Sequence, residues 1–148
     1  MLLKTLFITT LTLSSFCQAS SNITIGSPYI RATPPTAINS AIFAKLSNSS
    51  NVERRLIGAK TPIAGTVELH DVIHDGDIMK MRQIEDMLIP ANSTLHLQPG
   101  GLHIMLFDLQ APLTEGSTTQ LTLLFANGET QTLEVPVKKV MHGMQHQH

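Results

Sequence analysis

Short apolar or alternating segments, separated by turn residues at close intervals, constrain the fold of this chain more than any other feature. Asn127-Gly128 and Asp75-Gly76 are dipeptides that strongly favour two-residue β-hairpin turns. No window of the sequence keeps a helical apolar period over three turns. Many short strands with such turns are typical of an antiparallel sandwich or barrel, so we predict an all-β fold. The nine predicted strands cover residues 23–32, 41–46, 54–59, 66–73, 78–84, 93–97, 102–106, 119–125 and 130–137.

The first nineteen residues have the layout of a secretory signal peptide. An early Lys4 is followed by a mostly apolar run to about Phe16, and the small residue Ala19 follows that run. The run is too short for a convincing membrane span. We favour cleavage after Ala19 over lipid attachment at Cys17, because the bulky Phe16 precedes that cysteine. The predicted organisation is a signal peptide at 1–19, a single β domain at 20–138 and a flexible tail at 139–148.

Composition limits the chemistry that remains after the leader is removed. The 148 residues carry a formal net charge of -1, which gives no electrostatic argument for nucleic-acid binding. Cys17 is the single cysteine, so the mature chain would enter an oxidising compartment without any thiol. This argues against a thiol-redox enzyme. All seven His and six of the seven Met lie after the leader and remain as donors for a soft metal.

The stretch GGLHIMLFDL, at 100–109, is predicted to be a turn followed by an apolar strand. Alternation gives one face three aliphatic side chains and the other an imidazole, a thioether and a phenyl ring: Leu102, Ile104 and Leu106 against His103, Met105 and Phe107. Taken alone, the neighbouring His and Met are explained more simply by packing, because Met commonly fills gaps in cores.

A second His–Met pair is predicted on a hairpin. If Asp75-Gly76 forms a two-residue turn, His70 lies directly opposite Met81. Directly opposed residues have Cβ atoms about 4.5–5.5 Å apart, which is within reach of a shared ion. This prediction depends on the turn, because a one-residue slip moves side chains to the other face.

Three other side chains near these pairs are interpreted as peripheral. His74 is predicted to be a surface residue near the turn, with occasional metal capture as the minor alternative, and His96 to be a solvent-facing strand residue. Met79 is predicted to pack near Met81 or to support a ligand rather than to be a fifth ligand.

Two imidazoles and two thioethers form a soft, uncharged ligand set. Thioethers select soft ions and imidazole is compatible with copper, so the mixture suits Cu(I) best. Zinc more usually recruits thiolate or carboxylate beside His. Neutral ligands leave the charge of the ion uncompensated, which favours a site near the surface, from which the ion can pass to another protein.

The spacing of these residues resembles the signature of the periplasmic copper chaperones for the CuA centre, the PCuAC family. Ten residues separate His70 from Met81, and twenty-one separate Met81 from the His103-x-Met105 pair. The flanking text VELH, DGDIMKMR and PGGLHIML is also similar to that family. The likeness extends from about residue 29 to residue 137.

This resemblance implies a cupredoxin-like Greek-key β-sandwich or barrel without enzymatic activity. Such proteins bind Cu(I) in the periplasm and deliver it to the CuA-bearing subunit of cytochrome c oxidase, with other periplasmic copper carriers as further partners. The implied Cu(I) ligands are His70, Met81, His103 and Met105. The chain departs from the family pattern at His74, where members often have Met, and at Leu102, where they often have an aromatic residue.

The last eight residues are rich in Met and His. Some members of the resembled family have such extensions, associated with a second copper ion that is often Cu(II), and imidazole-rich sites suit Cu(II). A weaker second site and a solvated tail without fixed ligand geometry are equally supported. The candidate ligands are Met141, His142, Met144, His146 and His148.

A different function for the same ligands also stays open. A periplasmic protein that buffers copper or confers copper resistance would need the same residues as one that delivers copper. The sequence does not separate these two roles.

Overall fold

The computed structural model describes residues 21–139 and contains ten β-strands in that range. The predicted signal peptide and almost all of the predicted tail lie outside the described residues. Nine strands coincide with predicted ones to within three residues at each end, and β6 is additional. The strands are β1 (Ile23–Arg31), β2 (Ser40–Asn48), β3 (Arg54–Lys60), β4 (Ala64–Asp75), β5 (Ile78–Ile84), β6 (Met87–Ile89), β7 (Ser93–Leu97), β8 (His103–Leu109), β9 (Thr118–Phe125) and β10 (Thr130–Lys138).

The strands form one open path in the order β5-β4-β8-β2-β1-β10-β9-β3-β6, and β7 pairs with β2 beside this path. Neighbouring strands are antiparallel except β1 and β10, which run parallel where Ile30 pairs with Val137. This contact joins two groups of strands, with β5, β4, β8, β2 and β7 on the β1 side and β9, β3 and β6 on the β10 side. The all-β prediction is confirmed, and the path does not close into a barrel.

Across residues 21–139, the structure contains no helix long and apolar enough to cross a membrane.

One apolar cluster takes side chains from both groups of strands. The largest fully buried members include Ile42, Ile104 and Leu106 from the first group and Leu121 and Phe125 from the second. Burial of each such side chain contributes about 1.5–3 kcal/mol relative to exposure. Since Ile104 and Leu106 face this core, His103, Met105 and Phe107 lie on the opposite face of β8, as the alternation predicted.

The hairpin between β4 and β5 has a different register from the one predicted. Asp75 pairs with Ile78, so the two loop residues are Gly76 and Asp77. Gly76 has a φ of 63°, whereas Asp77 is not among the residues with positive φ. Glycine at the first loop position is the pattern of a type II′ turn, whereas the prediction had placed glycine second.

This register corrects the predicted pairing of His70 with Met81. His70 lies opposite Gln83, and Met81 lies opposite Val72. The sum of paired residue numbers changes by two, an even number, so every side chain keeps its predicted face. His70 and Met81 therefore share a face as diagonal neighbours rather than as an opposed pair.

The tip of this hairpin extends past the edge of the neighbouring strand. β4 pairs with β8 from Ala64 as far as His70, which lies opposite His103. Beyond that point, β4 pairs only with β5. We call residues 71–82 the hairpin tip.

A bulge in β1 sets which residues of this strand face the hairpin side of the sheet. The register shifts between Gly26 and Tyr29, and Ser27 within this interval has a φ of 48°. One extra residue reverses the alternation of the strand. Tyr29 therefore pairs with Phe43, and Ile30 enters the core.

Candidate metal centre

The registers of three strands place the four predicted ligands on one face of the sheet. His70 is directly opposite His103, and Met105 follows two residues later on β8. Met81 lies on β5, diagonal to His70. Opposed and alternate residues share a face, and this face is opposite to the one that packs into the apolar core.

An open pocket of about 370 Å³ lies on this face. The hairpin tip contributes Met79 and Met81 to its lining, and the loop before β8 contributes Gly100. His103 and Met105 lie on its β8 side. Three of the four predicted ligands thus line a single pocket.

The imidazoles and the thioether of the hairpin differ strongly in exposure. His103 and His70 are 5% and 9% exposed, whereas Met81 is 61% exposed. Met105 has intermediate exposure. The site therefore combines two fixed, enclosed imidazoles with a freely accessible sulfur at its rim.

One backbone hydrogen bond determines the tautomer of His103. Its Nδ1 lies 2.8 Å from the carbonyl oxygen of Gly101. A carbonyl oxygen can only accept, so Nδ1 carries the proton in the neutral ring. Nε2 then has the lone pair that a metal ion requires, the arrangement commonly found in metal-binding histidines.

A carboxylate has the corresponding effect on His70. Nε2 of His70 lies 2.7 Å from Oε2 of Glu68, and an ionised carboxylate only accepts hydrogen bonds. The neutral ring therefore carries its proton on Nε2. Its Nδ1, which is buried, has no hydrogen-bond partner among the described residues. A buried lone pair without a hydrogen-bond partner lowers the free energy of unfolding. The same lone pair is available to a metal ion.

Aromatic neighbours restrict both imidazole rings. The two ring centroids are 5.7 Å apart, Phe107 packs 5.8 Å from His70, and Phe43 packs 6.2 Å from His103. With metal–nitrogen bonds of about 2 Å, two imidazoles on one ion have centroids about 5–6 Å apart. The observed spacing therefore fits a shared ion.

The donor set gives this site its chemical character. Among residues 21–139, no three His, Cys, Asp or Glu side chains are grouped in a way that holds a metal. The grouping appears only when methionine sulfur is counted. Two imidazole nitrogens and two thioethers favour a soft ion such as Cu(I).

Sequence reasoning missed several residues that support the site. Glu68 was named from the sequence only as part of the text that flanks His70. Glu68 precedes His70 by two residues on one strand, so the two side chains share a face. Phe43 and Arg31 lie on other strands and line the pocket, where Cζ of Arg31 is 5.3 Å from the Phe43 ring centroid. No local spacing in the sequence indicates those two.

The peripheral residues divide into confirmed and corrected predictions. His74 and His96 are exposed, as predicted. Met79 is 59% exposed and lines the pocket, so the packing role is wrong. Its alternative role, support of a ligand, stays a prediction.

Fold and geometry together define a β domain with a candidate metal centre, whose possible ligands are uncharged, soft donors and which is open on one side. The chain matches the family described as "Putative lipoprotein LpqE-like" over residues 23–137. It therefore belongs to the LpqE-like family.

Individual proteins extend this comparison. "Putative lipoprotein Lxx21020" of Leifsonia xyli subsp. xyli is 38% identical over 99 residues, which are 66% of this chain and 60% of that relative. The solution structure of CuI-DR1885 from Deinococcus radiodurans is 34% identical, with a TM-score of 0.68, over 84% of this chain and 83% of that one. The copper-bound PCuAC domain from PmoF2 shares the fold, with 24% identity and a TM-score of 0.68 over 82% of this chain and 97% of that one. The resemblance to the PCuAC family and the cupredoxin-like fold are confirmed.

The hydrogen bonds of the two imidazoles make a prediction for the metal-free protein. At a pH where both rings are neutral, His103 is expected as the Nδ1–H tautomer and His70 as the Nε2–H tautomer. Long-range ¹H–¹⁵N correlation spectra of the rings distinguish the two forms. Glu68→Gln should alter the ring signals of His70 and leave those of His103 in place. A His103 ring protonated on Nε2 in the neutral state would contradict the assignment.

Proposed function

We propose that this protein is a Cu(I) metallochaperone that carries copper outside the cytoplasm and delivers it toward the CuA centre of cytochrome c oxidase. The observation that supports this function most strongly is the convergence of His70, Met81, His103 and Met105 on one face beside an open pocket. Two similar structures, the PCuAC domain from PmoF2 and CuI-DR1885, are copper-bound, which is additional support.

The ligands fit a monovalent soft ion better than a divalent one. None of the four carries a formal charge when the imidazoles are neutral. Thioether sulfur favours Cu(I), whereas a divalent ion gains more from carboxylate or thiolate ligands. The cation Arg31 at the pocket adds repulsion, which increases with the charge of the ion.

The contrast in exposure supports transfer by ligand exchange. Met81 is accessible at the rim, so a donor of a partner protein can bind the ion as this thioether leaves. The enclosed imidazoles of His70 and His103 hold the ion until the partner has supplied further donors. Copper stays in the Cu(I) state throughout, and the protein acts as a carrier without bond-making chemistry of an enzymatic kind.

Location and the second copper site complete the proposal. The lipoprotein descriptions of the family and of a relative support export to the periplasm. They are compatible with cleavage after Ala19 and also with lipid attachment at Cys17. We propose the Met- and His-rich tail, which lies outside the described residues, as a weaker second site suited to Cu(II).

The ligand assignment predicts the effect of two substitutions on Cu(I) affinity. Met81→Leu should weaken binding of one Cu(I) ion about 100-fold, because loss of even an outer partner of a ligand commonly costs 10–100-fold. His103→Ala should weaken it at least as much. Competition with a colorimetric Cu(I) chelator under anaerobic conditions measures both changes.

Two matched variants control for nonspecific effects of these substitutions. Met87→Leu removes a thioether from the core, and His96→Ala removes an exposed imidazole on β7. Both should retain the affinity of the unmodified protein. Because Met81 is exposed, Met81→Leu is expected to fold normally, so unchanged affinity in that variant would remove the site assignment.

Kinetics of copper transfer distinguish delivery from buffering. When the loaded protein is mixed with a soluble CuA-bearing domain, the transfer rate should rise with acceptor concentration, because the acceptor enters before copper leaves. A copper buffer would release the ion at a rate independent of the acceptor. Stopped-flow measurement over a range of acceptor concentrations gives this dependence, and a flat profile would contradict delivery by ligand exchange.

A further inference from the structure

We propose that His74 and Met79 form a second, outer Cu(I) site at the hairpin tip, which receives the ion and passes it to the inner site through Met81. We call these two residues the tip pair. This inference rests on the proposed function, since it adds an entry point to the same copper pathway.

The register of the hairpin creates the tip pair. His74 is directly opposite Met79. Directly opposed residues have Cβ atoms about 4.5–5.5 Å apart, so an imidazole nitrogen and a thioether sulfur can bind one ion between them. Both residues are exposed, and the side chain of His74 has no hydrogen bond or ion pair among the described residues. The pair is therefore open to an ion arriving from solvent.

The two faces of the hairpin tip separate neutral donors from charged groups. The charged side chains alternate with the tip pair and lie on the other face, where they form two ion pairs. Lys80 lies 3.1 Å from Asp75, and Arg82 lies 3.9 Å from Asp71. The face with the tip pair carries thioethers, an imidazole and Val72. No lysine or arginine of the hairpin thus repels a cation approaching this face.

The tip pair is continuous with the inner site. Met79 and Met81 are alternate residues of β5, so their Cα atoms are about 6.8 Å apart along one face. Both line the pocket that also contains His103 and Met105. Methionine side chains are long and flexible, so at this spacing one ion can pass between the two sulfur atoms without a movement of the β5 backbone.

The transfer consists of ligand exchange alone. Cu(I) first binds the imidazole of His74 and the sulfur of Met79. The sulfur of Met81 then forms a bond to copper as the bond to His74 breaks, and His103 next replaces Met79. In each of these two exchanges one copper–ligand bond forms as one breaks. His70 and Met105 then add to the ion and complete the inner four-ligand shell. The oxidation state does not change, and no external oxidant or reductant is required.

A titration followed by NMR tests the site directly. The whole protein is titrated anaerobically with Cu(I), and the ring signals of His74 and the methyl signal of Met79 are followed individually. The first equivalent should shift the signals of His103 and Met81, and the second should shift those of the tip pair. In His74→Ala, the Met79 methyl should no longer respond to the second equivalent. Site-specific signals separate this response from any binding by the tail.

Loading kinetics test the role of the tip pair in entry. His74→Ala combined with Met79→Leu should slow loading from a Cu(I)–chelator complex about tenfold, because the second step is no longer intramolecular. The equilibrium affinity for the first ion should change by less than about threefold, since the inner ligands are retained. His96→Ala, which removes an exposed imidazole elsewhere, should load at the unmodified rate.

The outcomes distinguish this inference from the proposed function. If the first equivalent binds at the inner site but the second leaves His74 and Met79 unshifted, or if loading is not slowed, the outer site is overturned and the carrier function stands. If the first equivalent leaves the signals of His103 and Met81 unmoved, the inner site and the proposed function fail together.

Discussion

The pairing of His70 with His103 across β4 and β8 is the constraint on which the rest of the site depends. Their neighbours Leu69 and Ile104 form the adjacent cross-strand pair and are buried in the core. A one-residue slip of either strand would expose an aliphatic side chain and drive an imidazole into the apolar cluster. The free energy of core packing therefore fixes the positions of the two imidazoles without any contribution from metal.

In the proposed copper site, the two kinds of donor have different roles, one in holding the ion and the other in releasing it. The imidazoles are enclosed, hydrogen-bonded at one nitrogen each and packed between two phenyl rings, so little conformational entropy remains to be lost when an ion binds. The thioethers of the hairpin are exposed and flexible. Under the proposed function, this arrangement would hold an ion firmly from one side and leave its other side open to a partner protein.

Much of this arrangement could be predicted from local patterns. Alternation along GGLHIMLFDL assigns His103 and Met105 to the face away from the core, and hairpin turn residues define most strands. The register of the β4–β5 hairpin could not be predicted, because DGD allows glycine in either loop position, and both resulting turns are common two-residue hairpin loops. The predicted faces are nevertheless correct, because the register differs from the predicted one by two residues, an even number.

Two features that depend on contacts between distant segments, the strand β6 and the position of Arg31 at the pocket, could not be predicted from the sequence. β6 has only three residues, too few for a recognisable alternation, and is held by pairing with β3 and by burial of Met87. Arg31 reaches the pocket because a bulge at Ser27 reverses the alternation of β1. A bulge is an extra residue relative to the partner strand, so it is defined by the pairing of two strands and cannot be read from the sequence of one.

X-ray absorption at the copper edge, on protein loaded with one equivalent of Cu(I), tests the central claim most directly. The account predicts a coordination shell of two imidazole nitrogens and two thioether sulfurs, with one sulfur fewer in Met81→Leu. A shell of nitrogen and oxygen without sulfur, or a sulfur contribution that Met81→Leu leaves unchanged, would contradict a site built from these four side chains.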